Sequence, residues 1–368
     1  MNFPRGGSTL ALVGACEESP ASRQGRQCYP KSASGPPCRE ARTVPARAYV
    51  FLAFSLAAAF LWPLKPQILQ PYIRLDPTAW FFCIGMVALS LSRFYGLRQA
   101  VPAPESYIFL YAVGLYYFEH HIPFQVRALD DRLLSFDYSF GYFELVVGRL
   151  FRGWQVFGAV LGFTYNTLML AVVLLYLALP AVATRRKFVV AVVLAAIIIL
   201  PLYALCPGAG PKYLLGDRLP GWFPDLSQPR DAIVVPAMNA TPNGMNAIPS
   251  GHFAWALLIF WFARKYCSGA VPIAAGIFMV LTCLATLGTG EHYVIDLILA
   301  VPFAAGIWSL VQRHWRLAAM ALGEVLIWLL SLREGWVLAM PPLLAWILTA
   351  LTVSPFVLHR PGDRSGRS

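Results

Sequence analysis

Charged residues are scarce in this sequence. Asp, Glu, Lys and Arg make up 13% of its 368 residues, whereas a soluble domain usually carries about 25%. Hydrophobic residues make up 58% of the chain, and many runs reach the roughly 20 apolar residues that cross a bilayer as a helix. These runs lack the polar faces that a soluble core would show. The composition therefore excludes a soluble globular protein and predicts a multi-span membrane protein.

Cysteine spacing and charge placement exclude two kinds of site. The seven cysteines contain no C-x-x-C pair, so we predict that they are unpaired or buried and form no metal site. The net charge of +11 does not indicate nucleic-acid binding, because the basic residues lie mostly between apolar runs and in the two tails. That placement is typical of cytoplasmic loops beside anionic lipid headgroups.

The apolar runs predict an all-α, polytopic membrane helix bundle with about ten transmembrane helices. The predicted spans are 48–64, 79–96, 105–119, 156–180, 188–206, 250–267, 271–289, 291–312, 316–332 and 336–358. We divide the chain into a disordered basic tail (1–47), N-terminal helices with an amphipathic segment (48–155), a catalytic core (156–312), C-terminal helices (313–358) and a second tail (359–368).

The distribution of basic residues predicts the orientation in the membrane. The tail has seven Lys and Arg, and further basic residues follow the second, fourth, sixth and eighth predicted spans and close the chain. All of these fall on one side if the N-terminus is cytoplasmic. The other side then holds two larger segments, 120–155 and 207–249. The first mixes aromatic and charged residues, and we expect it to lie in the membrane interface.

Two histidines are expected to meet at the non-cytoplasmic face. His252 opens the sixth predicted span, and His292 follows forty positions later, after the chain has crossed the membrane and returned. Asp296 follows His292 by four residues, a spacing that puts both on one face of a helix. A carboxylate behind an imidazole fixes its tautomer and stabilises its charged form. An unpaired ionisable group within a span costs roughly 2.5–3.5 kcal/mol, so we expect Asp296 to pair with His292.

The stretch Pro-Ser-Gly-His at 249–252 predicts a phosphate site. Ser250 suits a helix N-cap, Gly251 lets a ligand approach the backbone, and the N-terminus of the span offers free N–H groups. Lys212 and Arg218 in the preceding loop either bind phosphate oxygens or are solvated loop charges. A single histidine at a span end is usually an interfacial anchor, but two that share one face of the membrane favour chemistry.

The two motifs together resemble the type 2 phosphatidic-acid phosphatase superfamily of membrane lipid phosphatases and phosphotransferases. The resemblance covers about 156–312 and rests on Pro-Ser-Gly-His at 249–252 and His-Tyr-Val-Ile-Asp at 292–296. In that order and spacing the two motifs are specific, whereas either alone is weak. The resemblance implies a helical membrane enzyme that acts on phosphoesters.

This chain departs from the family pattern in two motifs, and the second departure resembles one branch of the family. The family's first motif is a Lys, six residues and then Arg-Pro, which Lys212, Arg218 and Leu-Pro at 219–220 match imperfectly. The family's phosphatases place Ser-Arg before the second histidine, where this chain has Ala285 and Thr286. The missing Arg resembles the branch that contains inositol phosphorylceramide synthase and sphingomyelin synthase.

The resemblance implies a mechanism without a metal or a cofactor. His292 would attack phosphorus and form a phosphohistidine, and Asp296 would orient it. His252 would protonate the leaving alkoxide and then act as a base for the acceptor. Ser250, Gly251 and nearby basic groups would hold the phosphate charge.

The acceptor decides between two activities. Water makes the protein a phosphatase and an alcohol makes it a phosphotransferase, and the missing Arg favours transfer. The competing class is a non-enzymatic transporter or lipid translocator, in which charged groups should line a path through the membrane. The charged groups of this sequence cluster at one edge instead, which favours an enzyme whose partner is a membrane lipid that carries a phosphate.

Overall fold

The computed structural model describes residues 129–219, 221–225, 227, 233 and 246–358. Every regular element within these ranges is a helix, as the apolar runs predict. The α-helices are α1 (Asp130–Asp137), α2 (Phe143–Gly153), α3 (Gln155–Asn166), α4 (Leu168–Ala178), α5 (Val182–Leu205), α6 (Pro211–Leu215), α7 (Gly251–Tyr266), α8 (Ala270–Gly288), α9 (Val294–Val311), α10 (Trp315–Glu334) and α11 (Pro342–Leu358). Short 3₁₀ turns lie at Tyr138–Phe140, Gly216–Arg218 and Trp336–Ala339.

Four of the described helices, α5, α8, α9 and α10, are long and apolar enough to cross a membrane. The consecutive helices α3 and α4 are bent by 60° at a short break and make a fifth span if they are counted as one. These helices indicate an integral membrane protein.

The described residues support fewer spans than the ten that we predicted. Three predicted spans, 48–64, 79–96 and 105–119, lie outside the described residues. The predicted span 250–267 is helix α7, whose 16 residues are fewer than the roughly 20 that a span needs. It is short because Ser250 caps its start, while two basic residues occupy its last turn. For the whole chain, the count of ten stays a prediction.

Helix α9 forms the centre of the described bundle. Apart from Asp296 and Ser309 it is apolar, and 78% of its span is buried, as expected of a helix without a polar face. It packs against α5, α7, α10 and α11. A Cβ on Gly306 would come within 2.7 Å of the Leu322 side chain, so the glycine lets α9 and α10 approach closely. Because Asp296 lies in the first turn of α9, the core of the bundle positions the predicted site directly.

Helix α2 turns a carboxylate inward and apolar side chains outward. Glu144 and Gly148 are buried, while Phe143 is 47% and Leu150 51% exposed. The helix packs against α3 and α8. Its exposed apolar face agrees with the lipid contact that we expect for the segment 120–155, and its buried carboxylate lies on the side that faces the bundle.

Candidate active site

The two predicted histidines face each other across a small gap. His252 is the second residue of α7, and His292 lies two residues before α9 begins. Their ring centroids are 6.4 Å apart, with the ring planes inclined at 60°. Helices α7 and α8 pack against each other and are joined by the turn at 267–269, so the chain returns to the level of His252 before it reaches His292. The approach that we expected from the two crossings is therefore present in the structure.

The ring of His292 is held by two acceptors at one nitrogen. Its Nδ1 lies 2.7 Å from the carbonyl oxygen of Ala247 and 3.4 Å from Oδ2 of Asp296. A carbonyl can only accept, so Nδ1 carries the proton and donates it. Nε2 is then left with a free lone pair. The sequence predicted the Asp296 contact, whereas the shorter bond to Ala247 is visible only in the structure.

Asp296 lies in the first turn of α9 and does not share a helical face with His292. His292 lies outside α9, Tyr293 is the N-cap residue, and Asp296 is the third helical residue. Oδ2 of Asp296 accepts the backbone N–H of Tyr293 at 2.8 Å, which closes a capping box. Oδ1 is buried and has no hydrogen-bond partner in the described part of the chain. The four-residue spacing thus brings the pair together through a cap, not through the one-turn contact that we predicted.

The Pro-Ser-Gly-His turn is tied to the segment of the second histidine. Ser250 is the N-cap of α7, and its Oγ accepts the N–H of Phe253 at 3.4 Å. The N–H of Ser250 donates to the backbone oxygen of Asp296 at 3.0 Å, so the two motifs are linked by their main chains. A Cβ on Gly251 would lie 3.0 Å from the hydroxyl of Tyr203. The glycine therefore admits a neighbouring side chain from α5 close to the backbone that we expect to receive a ligand.

Lys212 lies against the segment that precedes His292. Its N–H donates to the backbone oxygen of Gly290 at 2.8 Å, and its ammonium group forms an ion pair with Glu291. Gly210 makes this approach possible, because it has φ +104° and a Cβ there would overlap the backbone of Glu291. The structure thus brings Lys212 next to the segment that precedes His292, whereas Arg218 is exposed on the turn Gly216–Arg218. The phosphate-binding role of both stays a prediction.

Asp130 joins the loop of Lys212 to the segment of His292. It accepts the N–H groups of Ala209 and Gly210 at 3.0 and 2.8 Å. It also accepts the hydroxyl of Tyr293 at 2.8 Å. Burial raises the pKa of Asp130 to about 6, although the three hydrogen bonds favour the charged carboxylate and by themselves lower this pKa. The sequence showed Asp130 only as one of several charges in an interfacial segment and did not predict this bracing role.

Asp137 caps the helix that carries Asp296. Its two oxygens accept the N–H groups of Val294 and Ile295 at 2.6 and 3.3 Å, which are free donors at a helix start. Glu144 is buried nearby, and neither of its oxygens meets a hydrogen-bond donor of good geometry among the described residues. Burial raises the pKa of both carboxyls, that of Glu144 to about 8. Burial and the repulsion between the two carboxyls therefore disfavour a state in which both are charged, so the pair retains a proton near neutral pH.

Replacing Glu144 by glutamine is expected to flatten the pH dependence of stability. The unfolded carboxyl titrates near 4.5, whereas in the folded protein its pKa is about 8. The folded state therefore binds more protons between these values, and the free energy of unfolding falls as the pH rises through this window. Glutamine keeps the volume but does not titrate. At pH 8 the unfolding temperature of Glu144→Gln should be a few degrees higher than that of the wild type. This is the increase expected when the free energy of unfolding rises by about 1–2 kcal/mol.

Thermal unfolding of the solubilised protein at pH 5 and pH 8 measures this effect. Glu334→Gln is the matched control, because its side chain is 55% exposed and should leave the pH dependence unchanged. Identical pH dependence in the wild type and in Glu144→Gln would contradict a buried, protonated Glu144.

The site lies in a segment that is similar to a known family. Residues 131–310 match the family model of the PAP2 superfamily. The match covers just under half of the chain and supports the resemblance to the type 2 phosphatidic-acid phosphatase superfamily. It begins before residue 156, where our resemblance starts, and so includes Asp137 and Glu144. No curated protein and no solved structure matches the chain.

The PAP2 match indicates a phosphatase or phosphotransferase that acts on lipid-like phosphoesters. It contains both histidines, Asp296 and the loop of Lys212. Within the described residues, no group of three or more His, Cys, Asp and Glu side chains is arranged to hold a metal ion. The side chains that the PAP2-like segment brings together are two imidazoles, buried carboxylates and one ammonium group.

Proposed function

We propose that this protein cleaves or transfers a lipid phosphoester through a phosphohistidine at His292. The observation that carries the proposal is the pair of imidazole rings, His252 and His292, whose centroids lie 6.4 Å apart. This separation leaves room for a phosphoryl group between a nucleophile on one side and a proton donor on the other. The PAP2 match supports the same reaction class.

In the first half-reaction, Nε2 of His292 attacks phosphorus, and the bond from phosphorus to the leaving oxygen breaks. Nε2 has a free lone pair because the proton lies on Nδ1, which donates to Ala247. His252 enters protonated and gives its proton to the leaving alkoxide, so the alcohol departs neutral. Asp296, 3.4 Å from Nδ1, stabilises the positive charge that develops on the ring of His292.

In the second half-reaction, an acceptor oxygen attacks the phosphohistidine. Neutral His252 takes the proton of the acceptor as its oxygen bonds to phosphorus, and the bond from phosphorus to Nε2 of His292 breaks. Water as acceptor completes a hydrolysis, and a lipid or headgroup alcohol completes a transfer. Both active-site histidines return to their starting protonation states, so no further reactant is needed.

The phosphate charge would be held by the start of α7 and by Lys212. Ser250 and Gly251 begin a 16-residue helix, whose first N–H groups and dipole favour an anion. At the positions where the family's phosphatases carry Ser-Arg, Ala285 and Thr286 are fully buried in α8, so no cation lies there. We infer that this chain depends more on Lys212 and on backbone donors than those phosphatases do.

The site would lie on the non-cytoplasmic side of the membrane. The histidines are at the start of α7 and just before α9, whereas basic residues end α7 and follow α9. At that other end, Lys265 lies 5.2 Å from the ring of Trp308, and Lys187 approaches Gln312 at 3.4 Å. The basic ends of several helices thus converge away from the site, which supports cytoplasmic basic loops and an external site.

Analysis of lipid products tests the proposal. Full-length protein is reconstituted in liposomes with phosphatidic acid or phosphatidylinositol as donor and ceramide or diacylglycerol as acceptor, and mass spectrometry follows the lipids. Released phosphate identifies a phosphatase, and a new phospholipid identifies a transferase. Labelled phosphate that stays on the protein in base but is lost in acid supports the phosphohistidine. Movement of intact lipid between leaflets without any product would overturn the proposal in favour of a translocator.

Replacing Lys212 by alanine is expected to raise the KM for the lipid phosphoester by about 10-fold, with a smaller effect on kcat. A charge-assisted hydrogen bond to phosphate contributes about 1.5–3 kcal/mol, but phosphate must first replace Glu291 as the partner of Lys212. Initial rates over a range of substrate concentrations measure the effect. The control is Lys187→Ala, at the opposite end of the bundle, and an unchanged KM in Lys212→Ala would make Lys212 a structural loop charge.

A further inference from the structure

An aromatic side chain from another helix lies flat on the ring of His252. Tyr165 belongs to the last turn of α3, and its ring centroid is 4.1 Å from that of His252, with only 11° between the planes. The other ring contact of His252 is the tilted approach to His292 at 6.4 Å. The ring that would donate the proton is therefore bounded by Tyr165 on one face and lies within reach of His292.

The break between α3 and α4 gives Tyr165 this position. The two helices bend by 60° immediately after Tyr165, and the bend has its own hydrogen bonds. Asn166 donates to the backbone oxygen of Gly162 at 2.8 Å, and Thr167 donates to that of Thr164 at 3.2 Å. Irregular backbone at membrane depth is tolerated where it is buried in protein or lines a cavity. Because Tyr165 stacks on His252 from the last turn before the bend, the bend lies beside the site.

We propose that Tyr165 is a positioning residue that holds the His252 ring against the reacting phosphate and favours its charged form. This inference rests on the proposed acid and base role of His252. A flat stack restricts rotation of the imidazole about its side-chain bonds, so the proton donor stays aligned. The electron-rich face of the tyrosine ring also attracts a cation. His252 must be cationic before each first half-reaction, so both effects act on the same step.

A second stack on the same helix shows what packing alone would look like. Trp154 and Phe157 are stacked with ring centroids 5.6 Å apart and 14° between the planes, near the start of α3 and without a histidine. Phe157→Leu is therefore the matched control for Tyr165→Leu, because each removes one stacked aromatic ring from α3. A general destabilisation of the helix should appear equally in both variants.

Rates with two classes of leaving group test the inference. Tyr165→Leu should slow formation of the labelled phosphohistidine by about 10-fold with an alkyl phosphoester, the size of a desolvated cation–π contact. It should have little effect on this step with a p-nitrophenyl ester, whose leaving group needs no proton. Tyr165→Phe keeps the stack and should retain most of the activity with both esters. In a His252→Ala background, Tyr165→Leu should add no further loss, since the ring on which it acts is gone.

Each outcome separates this inference from the proposed function. An equal loss with both esters in the labelling step, or an additive loss in the double variant, would make Tyr165 a packing residue and leave the role of His252 intact. A His252→Ala protein with undiminished activity would overturn the acid role and the positioning role together. The NMR chemical shifts of the His252 ring protons report the stack independently of catalysis. These signals are assigned by their loss in His252→Gln. Their upfield displacement should persist in Tyr165→Phe and disappear in Tyr165→Leu, and persistence in both would contradict the stack.

Discussion

The His292→Ala protein is expected to turn over no lipid phosphoester, with a loss of at least about 10⁴-fold. Without Nε2 there is no atom to bond to phosphorus at this position, and the ring of His252, whose centroid lies 6.4 Å from that of His292, is placed on the side of the leaving group in the proposed reaction. The measurement is the initial rate with the donors and acceptors described above. The acid-labile label on the protein should disappear together with the activity.

The structure also predicts a moderate cost in stability for His292→Ala. The variant loses the hydrogen bond to Ala247 and leaves Asp296 without its imidazole partner, so folding has to be measured alongside activity. His314→Ala is the control, because His314 is exposed at the start of α10, away from the site, and should keep full activity. A folded His292→Ala protein that still produces phosphate or a new phospholipid would remove His292 as the nucleophile.

The second large effect is expected for His252→Ala. With an alkyl phosphoester the rate should fall by about 10²–10⁴-fold, the usual range for loss of a general acid or base. With an activated p-nitrophenyl ester the first half-reaction needs no proton, so formation of the labelled phosphohistidine should remain close to the wild-type rate. Rapid-quench measurement of protein-bound label with both esters separates the two cases.

The leaving-group comparison provides its own control for folding. A misfolded His252→Ala protein would lose the reaction with both esters, whereas a missing proton donor affects mainly the alkyl ester. The breakdown step should remain slow with either ester, because His252 is also the base that activates the acceptor. Equal losses in the labelling step with both esters, in a protein that retains its wild-type melting temperature, would argue against the acid role.

The chain positions of the two histidines were sufficient to predict that they meet. His252 opens one apolar run and His292 stands before another, with one crossing and return between them. Membrane thickness limits how far each run can extend, so two residues at matching ends of neighbouring spans must lie at similar depth. The preference of serine for helix N-caps separately predicted Ser250 as a cap, which the structure contains.

The immediate environment of the histidines could not be predicted in this way. Ala247 accepts a hydrogen bond through its backbone, which no side-chain pattern indicates. Tyr165 and Asp130 come from helices 87 and 122 residues before His252, so their contacts depend on how the helices pack. Asp130 carried a weak signal as an acidic residue in a largely apolar stretch. An aromatic residue within an apolar run, such as Tyr165, carries none.

The sequence by itself determined that the chain is helical, that its apolar runs suit a membrane protein, and that two histidines and Asp296 lie at one end of a helical hairpin. It could do so because hydropathy and helix length act locally along the chain. Only the tertiary structure decided which nitrogen of His292 is free, which carboxylates brace its segment, and which ring lies against His252. Those features depend on contacts between helices that are distant in sequence, and their geometry follows from packing around the buried helix α9.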